Sequence, residues 1–452
     1  MLLQKGADPE KSTKEFPTPL LPYVIICGQI DAIDTSDVVR VLLASGADPK
    51  TVPVDMWVNY INAPKERWPN PGPGDHWRGC TVPIRQLLAR SLNVRHRYLL
   101  SLADTVEKTN PRTLQVCEAY NMKRITTLPY FLVGQRQAAD LVMNSLITHV
   151  SGGRESPMVM AFAGPSGHGK TELARALGKL LSIESLVFDC ATFTQQSKFF
   201  GPPRGYQGYE EGAPGINFLS ENNGRRSLVF MDEFDKTKQE LRESLLVTME
   251  KGTLTIHQRT SNNVDCSKTI WVLATNLGTY IICDFYAKKL ASVSEERLRS
   301  ASVKELQRDL TRIYRENFKA PLTGRIKLMV PFLPFSKTEQ AVIAHRFILK
   351  LATRVRQPID LQPPTIRLVG HSRITVIDDR KVCTELAQGY ESLLGARYLF
   401  NAVDALEEMY TKEYLAIKSP ITEDLNTKPL QEFIVKCVPE PGGNGQRMLV
   451  YR

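Results

Sequence analysis

Gly164-Pro165-Ser166-Gly167-His168-Gly169-Lys170-Thr171 constrains this chain more than any other stretch. The octapeptide fits G-x-x-x-x-G-K-[ST] at every defined position, and its flanks supply the setting such a turn needs. Met158 to Ala163 is an apolar run of strand length, and Glu172 to Leu181 carries Leu173, Leu177, Leu180 and Leu181 at helical spacing. Strand, glycine-rich turn and helix start bring backbone N–H groups and a positive dipole end to one point, which is how a polyphosphate is held. Lys170 would neutralise the β- and γ-phosphates, and Thr171 would offer its hydroxyl to Mg²⁺. The turn therefore predicts an α/β sheet that binds a nucleoside triphosphate.

The residues that would complete such a site end later apolar runs. Leu228 to Met231 reads as a strand and stops at Asp232-Glu233; Ile270 to Ala274 reads as another and stops at Thr275-Asn276. A further strand spans Leu186 to Asp189, and Ile326 to Val330 is strand-like after Arg325. Strands alternating with helices imply a parallel sheet covered on both faces, with ligands at the strands' C-terminal ends. One carboxylate of Asp232-Glu233 would hold Mg²⁺, usually through its water, and the other would act on the attacking water as base or orienter. Asn276 could position that water or the γ-phosphate. Arg325 and Arg397 are the candidate cations for charge developing on the transferred phosphoryl group.

These residues resemble the AAA+ ATPases, and within them the Clp chaperones, most closely the second ATPase module of ClpB. The resemblance covers about residues 129 to 438. It rests on Val133-Gly134-Gln135, the Walker A loop at 164–171, Gly205-Tyr206-Gln207-Gly208-Tyr209-Glu210-Glu211-Gly212, the Walker B pair Asp232-Glu233, Thr275-Asn276-Leu277-Gly278, Leu322-Thr323-Gly324-Arg325-Ile326 and Gly395-Ala396-Arg397. It implies Mg-ATP as cofactor, Asp232 with Thr171 on the metal, Glu233 activating water and Asn276 as sensor 1. It further implies Arg397 as sensor 2, Arg325 as an arginine finger acting on a neighbouring subunit, and Val133 to Gln135 beside the adenine. The assembly implied is a homo-oligomeric ring, usually of six subunits.

Gly205-Tyr206-Gln207-Gly208 chooses among AAA+ functions. In Clp proteins this loop projects into the ring's channel and grips an unfolded chain; a tyrosine between glycines gives a large amphipathic contact indifferent to sequence. The expectation is an ATP-dependent unfoldase or disaggregase. The region Thr255 to Ser267 departs from the family's second pore loop, and Gly324 stands where the family usually has Asn. No Ile-Gly-Phe or Ile-Gly-Leu tripeptide occurs, so docking on a ClpP-type peptidase is not expected. Two alternatives stay open: a nucleic-acid-remodelling AAA+ motor, and an ankyrin scaffold with a nucleotide-switched ATPase module.

The N-terminal stretch suggests that second alternative. Leu2-Leu3-x-x-Gly6-Ala7-Asp8-Pro9 returns as Leu42-Leu43-x-x-Gly46-Ala47-Asp48-Pro49, with Thr18-Pro19-Leu20 between them. These match parts of ankyrin repeats, although their spacing exceeds the usual ~33 residues. With the ATPase module they are similar to the ankyrin-repeat, ClpB-like disaggregases of mitochondria, and imply a protein partner for the ankyrin-like segment. Pro64 to Gly79 reads as an irregular connector, Ile84 to Ala103 as one helix, and Arg95, His96 and Arg97 as its solvated face. Ala287 to Asn317, dominated by charges such as Glu295, Glu296, Arg297 and Arg299, reads as an exposed helical insertion. From residue 336 a small α+β domain is expected: a helix opened by a Ser336/Glu339 capping box, short strands at Ile366–Val369 and Ile374–Ile377, and a strand pair at Phe433–Val438 and Met448–Tyr451.

The expected division is thus partial ankyrin repeats over 1–55, a helical connector over 56–128, a large ATPase domain over 129–335 and a small domain over 336–452. A length of 452 residues with 42% hydrophobic content accommodates all of it. The net charge of +10 comes without a basic run, so nucleic acid as partner is disfavoured. Eight cysteines without a C-x-x-C pair fit a reducing compartment, with cytoplasm expected and mitochondria as the alternative carried by the resemblance. No apolar stretch reaches the ~18 residues of a membrane span, so no membrane partner is expected.

Overall fold

A computed structural model describes residues 8–9, 18–31, 33–64, 81–153, 155–192, 196–201, 213–256, 262–293, 302–440 and 446–452. They fall into two compact units. One is Lys108–Pro334 with Ser392–Gly395; the other joins Met1–Glu107 to Phe335–Glu391 and Ala396–Arg452. Among the described residues, no helix is long and apolar enough to cross a membrane.

The first unit is built on seven strands: β1 (Met158–Ala163), β2 (Ser185–Asp189), β3 (Ser227–Asp232), β4 (Thr253–Ile256), β5 (Asn262–Asp265), β6 (Thr269–Thr275) and β7 (Leu328–Pro331). Five of them form a sheet in the order β2-β3-β6-β1-β7, every neighbouring pair parallel, while β4 and β5 form an antiparallel pair. The central strands are apolar at successive positions because both faces are covered. Val159, Ala161, Val229, Met231, Trp271 and Leu273 enter one core with the helices Gln239–Lys251, Thr279–Lys289 and Lys304–Thr323. The alternate residues Met158, Met160, Phe162, Leu228, Phe230 and Val272 enter the other, beneath Arg136–Ser151 and Lys170–Leu181. The register pairs Ala163 with Thr275 and Asp189 with Asp232, so the segments leaving these strands emerge along one edge.

The expected exposed insertion over 287–317 is not what forms. Lys304–Thr323 buries Leu306, Leu310, Tyr314, Phe318 and Leu322 against the sheet. Its apolar residues are few, but they recur every fourth position and so make one continuous stripe. The charged Glu295, Glu296, Arg297 and Arg299 lie outside the described residues.

In the second unit, Ser336 opens Lys337–Val355 with the expected capping box: Glu339 N donates to Ser336 Oγ at 3.3 Å and Ser336 N to Glu339 Oε2 at 2.8 Å. Strands β8 (Ser372–Val376), β9 (Gln431–Pro439) and β10 (Gln446–Tyr451) form a sheet in the order β10-β9-β8, with helices Asp379–Leu386 and Ala396–Leu415. The strand expected over Ile366–Val369 does not form; a single bridge between Asp360 and Arg367 stands there. Short helices Leu20–Ile30, Ser36–Ala44, Val82–Ser91 and Val94–Thr105 belong to the same unit. The single helix expected over 84–103 is thus two, broken at Leu92, with Asn93 capping the second by accepting from His96 N at 2.9 Å.

The solvated face expected at 95–97 is also corrected. Arg95, His96 and Arg97 are only 8%, 3% and 1% exposed. Asp379 is the reason for the last of them: its Oδ1 accepts from Arg97 Nη2 at 3.0 Å, and its Oδ2 accepts from Val94 N at 2.6 Å. Arg97 also donates to Tyr60 O at 2.7 Å and Leu92 O at 2.5 Å, so each of its three nitrogens has a partner. Arg95 pairs with Asp37 at 3.0 Å and Asp34 at 3.5 Å. A buried arginine needs such partners.

Two neutral histidines complete the seam. Burial pushes His96 and His345 down to about 4, and each keeps an unpartnered Nδ1. In the unfolded chain both rings titrate near ~6.5, so between the two values the unfolded chain binds more protons and stability falls as pH falls. By pH 5 this amounts to about 2 kcal/mol per ring. The two rings together should therefore lower the melting midpoint of this unit by roughly 8–16 °C between pH 7 and pH 5, read by calorimetry. Ring carbon shifts that titrate near 6.5 in the folded protein would overturn this.

Candidate nucleotide site

The candidate site is built where β1, β3 and β6 end. At Gly164, φ is +150°, and a Cβ there would stand 2.7 Å from Phe332 O; only glycine lets the turn pass so close to the chain leaving β7. Lys170 starts the helix Lys170–Leu181 and is nearly buried. Its Nζ donates to Gly164 O at 2.6 Å, Pro165 O at 3.0 Å and Asn276 Oδ1 at 3.0 Å. Thr171 Oγ1 donates to Asp232 Oδ2 at 2.9 Å. The loop, the end of β3 and the end of β6 thus meet through side chains separated by up to 106 residues.

Glu233 follows Asp232 with φ +50° and ψ 44°, a left-handed conformation that costs a non-glycine residue roughly 1–2 kcal/mol. Its own N–H donates to Asp232 Oδ1 at 3.0 Å, which holds the turn. The backbone therefore breaks from β3 at the residue expected to act on water.

His168 is buried within the loop, its Nδ1 lying 2.8 Å from Ser166 O. Burial pushes its pKa down to about 4, so the ring is neutral near pH 7. A carbonyl oxygen can only accept, so Nδ1 carries the proton. His168 consequently braces the loop and adds no charge to it.

Gln135 is buried ahead of the helix Arg136–Ser151, its side chain clamped to Leu333: Nε2 donates to Leu333 O at 2.8 Å, and Leu333 N donates to Oε1 at 3.3 Å. The segment Val133-Gly134-Gln135 is thereby tied to the chain leaving β7.

Arg325 is not brought to this cluster. Lys327 N donates to Val159 O, near the start of β1, whereas the glycine turn lies beyond the end of β1. Five residues of strand separate those levels, roughly 16 Å. Arg325 instead donates from Nε to Leu246 O at 3.0 Å, and from its two terminal nitrogens to Pro321 O and Glu250 Oε2. Arg397 belongs to the other unit, in the first turn of Ala396–Leu415. Gly205, Tyr206, Gln207 and Gly208 lie outside the described residues, as do Leu2, Leu3, Gly6 and Ala7 of the first ankyrin-like motif. Of Thr255 to Ser267, the segment that departs from the family's second pore loop, the described residues are the end of β4, β5 and the two residues after it. Glu250 was not legible as a site residue; its one signal is an acid near a helix C-terminus, where the dipole disfavours it.

Residues 156–329 match the family model described as AAA domain (Cdc48 subfamily). This stretch is similar to AAA domains. Chaperone protein ClpB of Chlamydia caviae is 32% identical to the chain over 250 residues, covering 53% of this chain and 26% of that protein. The mitochondrial disaggregase of Bos taurus is 25% identical over 332 residues, covering 68% of this chain and 46% of that protein. The chain therefore spans less than half the length of either relative. A solved closed-state structure of Hsp104 with ATPyS and FITC casein superposes with TM-score 0.52 at 21% identity, over 80% of this chain and 56% of that one; at this identity it shows the shared AAA fold.

Proposed function

We propose that the AAA domain hydrolyses Mg-ATP and spends the energy on pulling polypeptide out of misfolded or aggregated protein. The observation that carries the reading is the Thr171–Asp232 hydrogen bond at 2.9 Å beside the Lys170–Asn276 contact at 3.0 Å, which unites Walker A, Walker B and sensor positions at one sheet edge. Thr171 and Asp232 supply the hard oxygen donors that suit Mg²⁺, and among the described residues no cluster of three or more His, Cys, Asp or Glu forms a protein cage. That fits an ion held by one carboxylate, a hydroxyl, water and phosphate, where it would neutralise charge between the β- and γ-phosphoryl oxygens. Lys170 would leave its loop carbonyls for the phosphates, Glu233 would take the proton of the attacking water, and Asn276 would orient that water.

Arg325 acts on a neighbour in this proposal, because it lies at the far end of the sheet from its own glycine turn. Arg397 serves as the second sensor, and Val133 to Gln135 flank the base. Such a shared site makes a ring the working form, with six subunits as the number carried by the resemblance. The relatives named as a chaperone and as a disaggregase support polypeptide as substrate, gripped by Tyr206 between Gly205 and Gly208. The ankyrin-like segment is assigned a protein partner on the strength of its motifs.

The test separates hydrolysis from pulling. Tyr206→Ala in the full chain should keep the ATPase rate and lose the refolding of an aggregated reporter enzyme. Refolding at the wild-type rate would remove the pore loop from the mechanism.

A further inference from the structure

Every nitrogen of the Arg325 guanidinium that can donate is engaged, and two of the three acceptors, Leu246 O and Glu250 Oε2, sit on the helix Gln239–Lys251. An exposed arginine–carboxylate pair alone fixes little. Here the side chain is only 21% exposed, and acceptors converge from two elements on a planar fork whose geometry they must match. Glu250 stands near the C-terminus of its helix, where a carboxylate is unfavourable until a cation covers it, and Arg325 is that cation.

The same helix leads back to the nucleotide site. It follows β3 and Asp232-Glu233 after the short turn Phe234–Lys236. Phe234, next to Glu233, meets Phe318 edge-on with ring centroids 5.3 Å apart. Arg242 lies over the same ring at 5.4 Å and donates to Asn317 O at 3.2 Å. Directly after Phe318, Lys319 breaks its helix with φ +63° and ψ 168°, a region sparsely populated by anything but glycine. A cavity of about 140 Å³ lies along this seam, lined by Gln239, Arg242, Leu246, Phe318 and Lys319 among others.

We propose that Glu250 is a positioning residue for Arg325, coupling the arginine a subunit offers its neighbour to the helix that leaves that subunit's own Walker B strand. The state of one nucleotide pocket then sets the place of the arginine serving the next. This rests on the trans-acting role of Arg325 given above.

The experiment compares Glu250→Gln, Glu250→Asp, Arg325→Ala and the double variant Glu250→Gln/Arg325→Ala in the full chain, after melting curves have shown each to be folded. Glu250→Gln should lower kcat for ATP by about 10- to 100-fold with KM within about twofold, as expected for a misplaced catalytic group. Glu250→Asp should retain more of kcat than Glu250→Gln. The double variant should turn over no more slowly than Arg325→Ala alone, because both changes remove one interaction. Wild-type or faster turnover in Glu250→Gln, or a further loss in the double variant, would overturn the role of Glu250 while leaving the finger intact. Wild-type turnover in Arg325→Ala would instead bring down the finger and, with it, this coupling.

Discussion

Glu233→Gln should bind ATP as tightly as the wild type and turn it over about 10²- to 10⁴-fold more slowly. The side chains are nearly isosteric, so the change removes basicity with little change of shape. The turn that presents Glu233 is held by the backbone, through its N–H to Asp232 Oδ1, and does not depend on the side chain. Neither Lys170, bound to Asn276, nor Thr171, bound to Asp232, is disturbed. Nucleotide affinity and single-turnover hydrolysis, measured on the same preparation, separate the two effects. An unaltered hydrolysis rate would exclude Glu233 as the group that activates water.

Arg325→Ala should cost on the order of 10³-fold or more in turnover, the range seen when a trans-acting arginine is lost. Its distinguishing feature is rescue by mixing. Subunits carrying Arg325→Ala retain Glu233, and subunits carrying Glu233→Gln retain Arg325. Randomly mixed in equal amounts, about a quarter of the interfaces would unite an intact pocket with an intact arginine, and the mixture should hydrolyse ATP far faster than either variant alone. An arginine acting on its own pocket predicts no gain on mixing. The rescue experiment therefore reads the direction of the contact, which a single variant does not.

The glycine turn was legible because its determinants are consecutive and its flanks obey simple periodicities. Asp232, Glu233 and Asn276 were legible because each follows directly on an apolar strand. Glu250 was not, since its meaning comes from an arginine 75 residues later in the chain. Arg95, His96 and Arg97 were misread for a geometric reason available beforehand. Successive helical residues point about 100° apart, so three in a row sweep most of the circumference and cannot share one solvated face. Lys304–Thr323 was misread because counting apolar residues ignores their register: five buried residues four apart outweigh the eight charged residues around them. What the sequence left out in both cases is the partner surface, Asp379 for the first helix and the sheet for the second.

The pairing of Arg97 with Asp379 has a consequence for how the molecule is made. The unit containing both is split in sequence, its early part ending at Glu107 and its later part starting at Phe335, with the nucleotide-binding unit between them. A chain emerging from the ribosome completes Lys108–Pro334 while the opening helices still lack Asp379, more than two hundred residues away. Arg97 would then wait without its carboxylate and the surface of Val94–Thr105 without its cover, a state open to aggregation until Asp379 has been made. The five-stranded sheet within Lys108–Pro334 is thus made whole before the unit that encloses it in sequence can close.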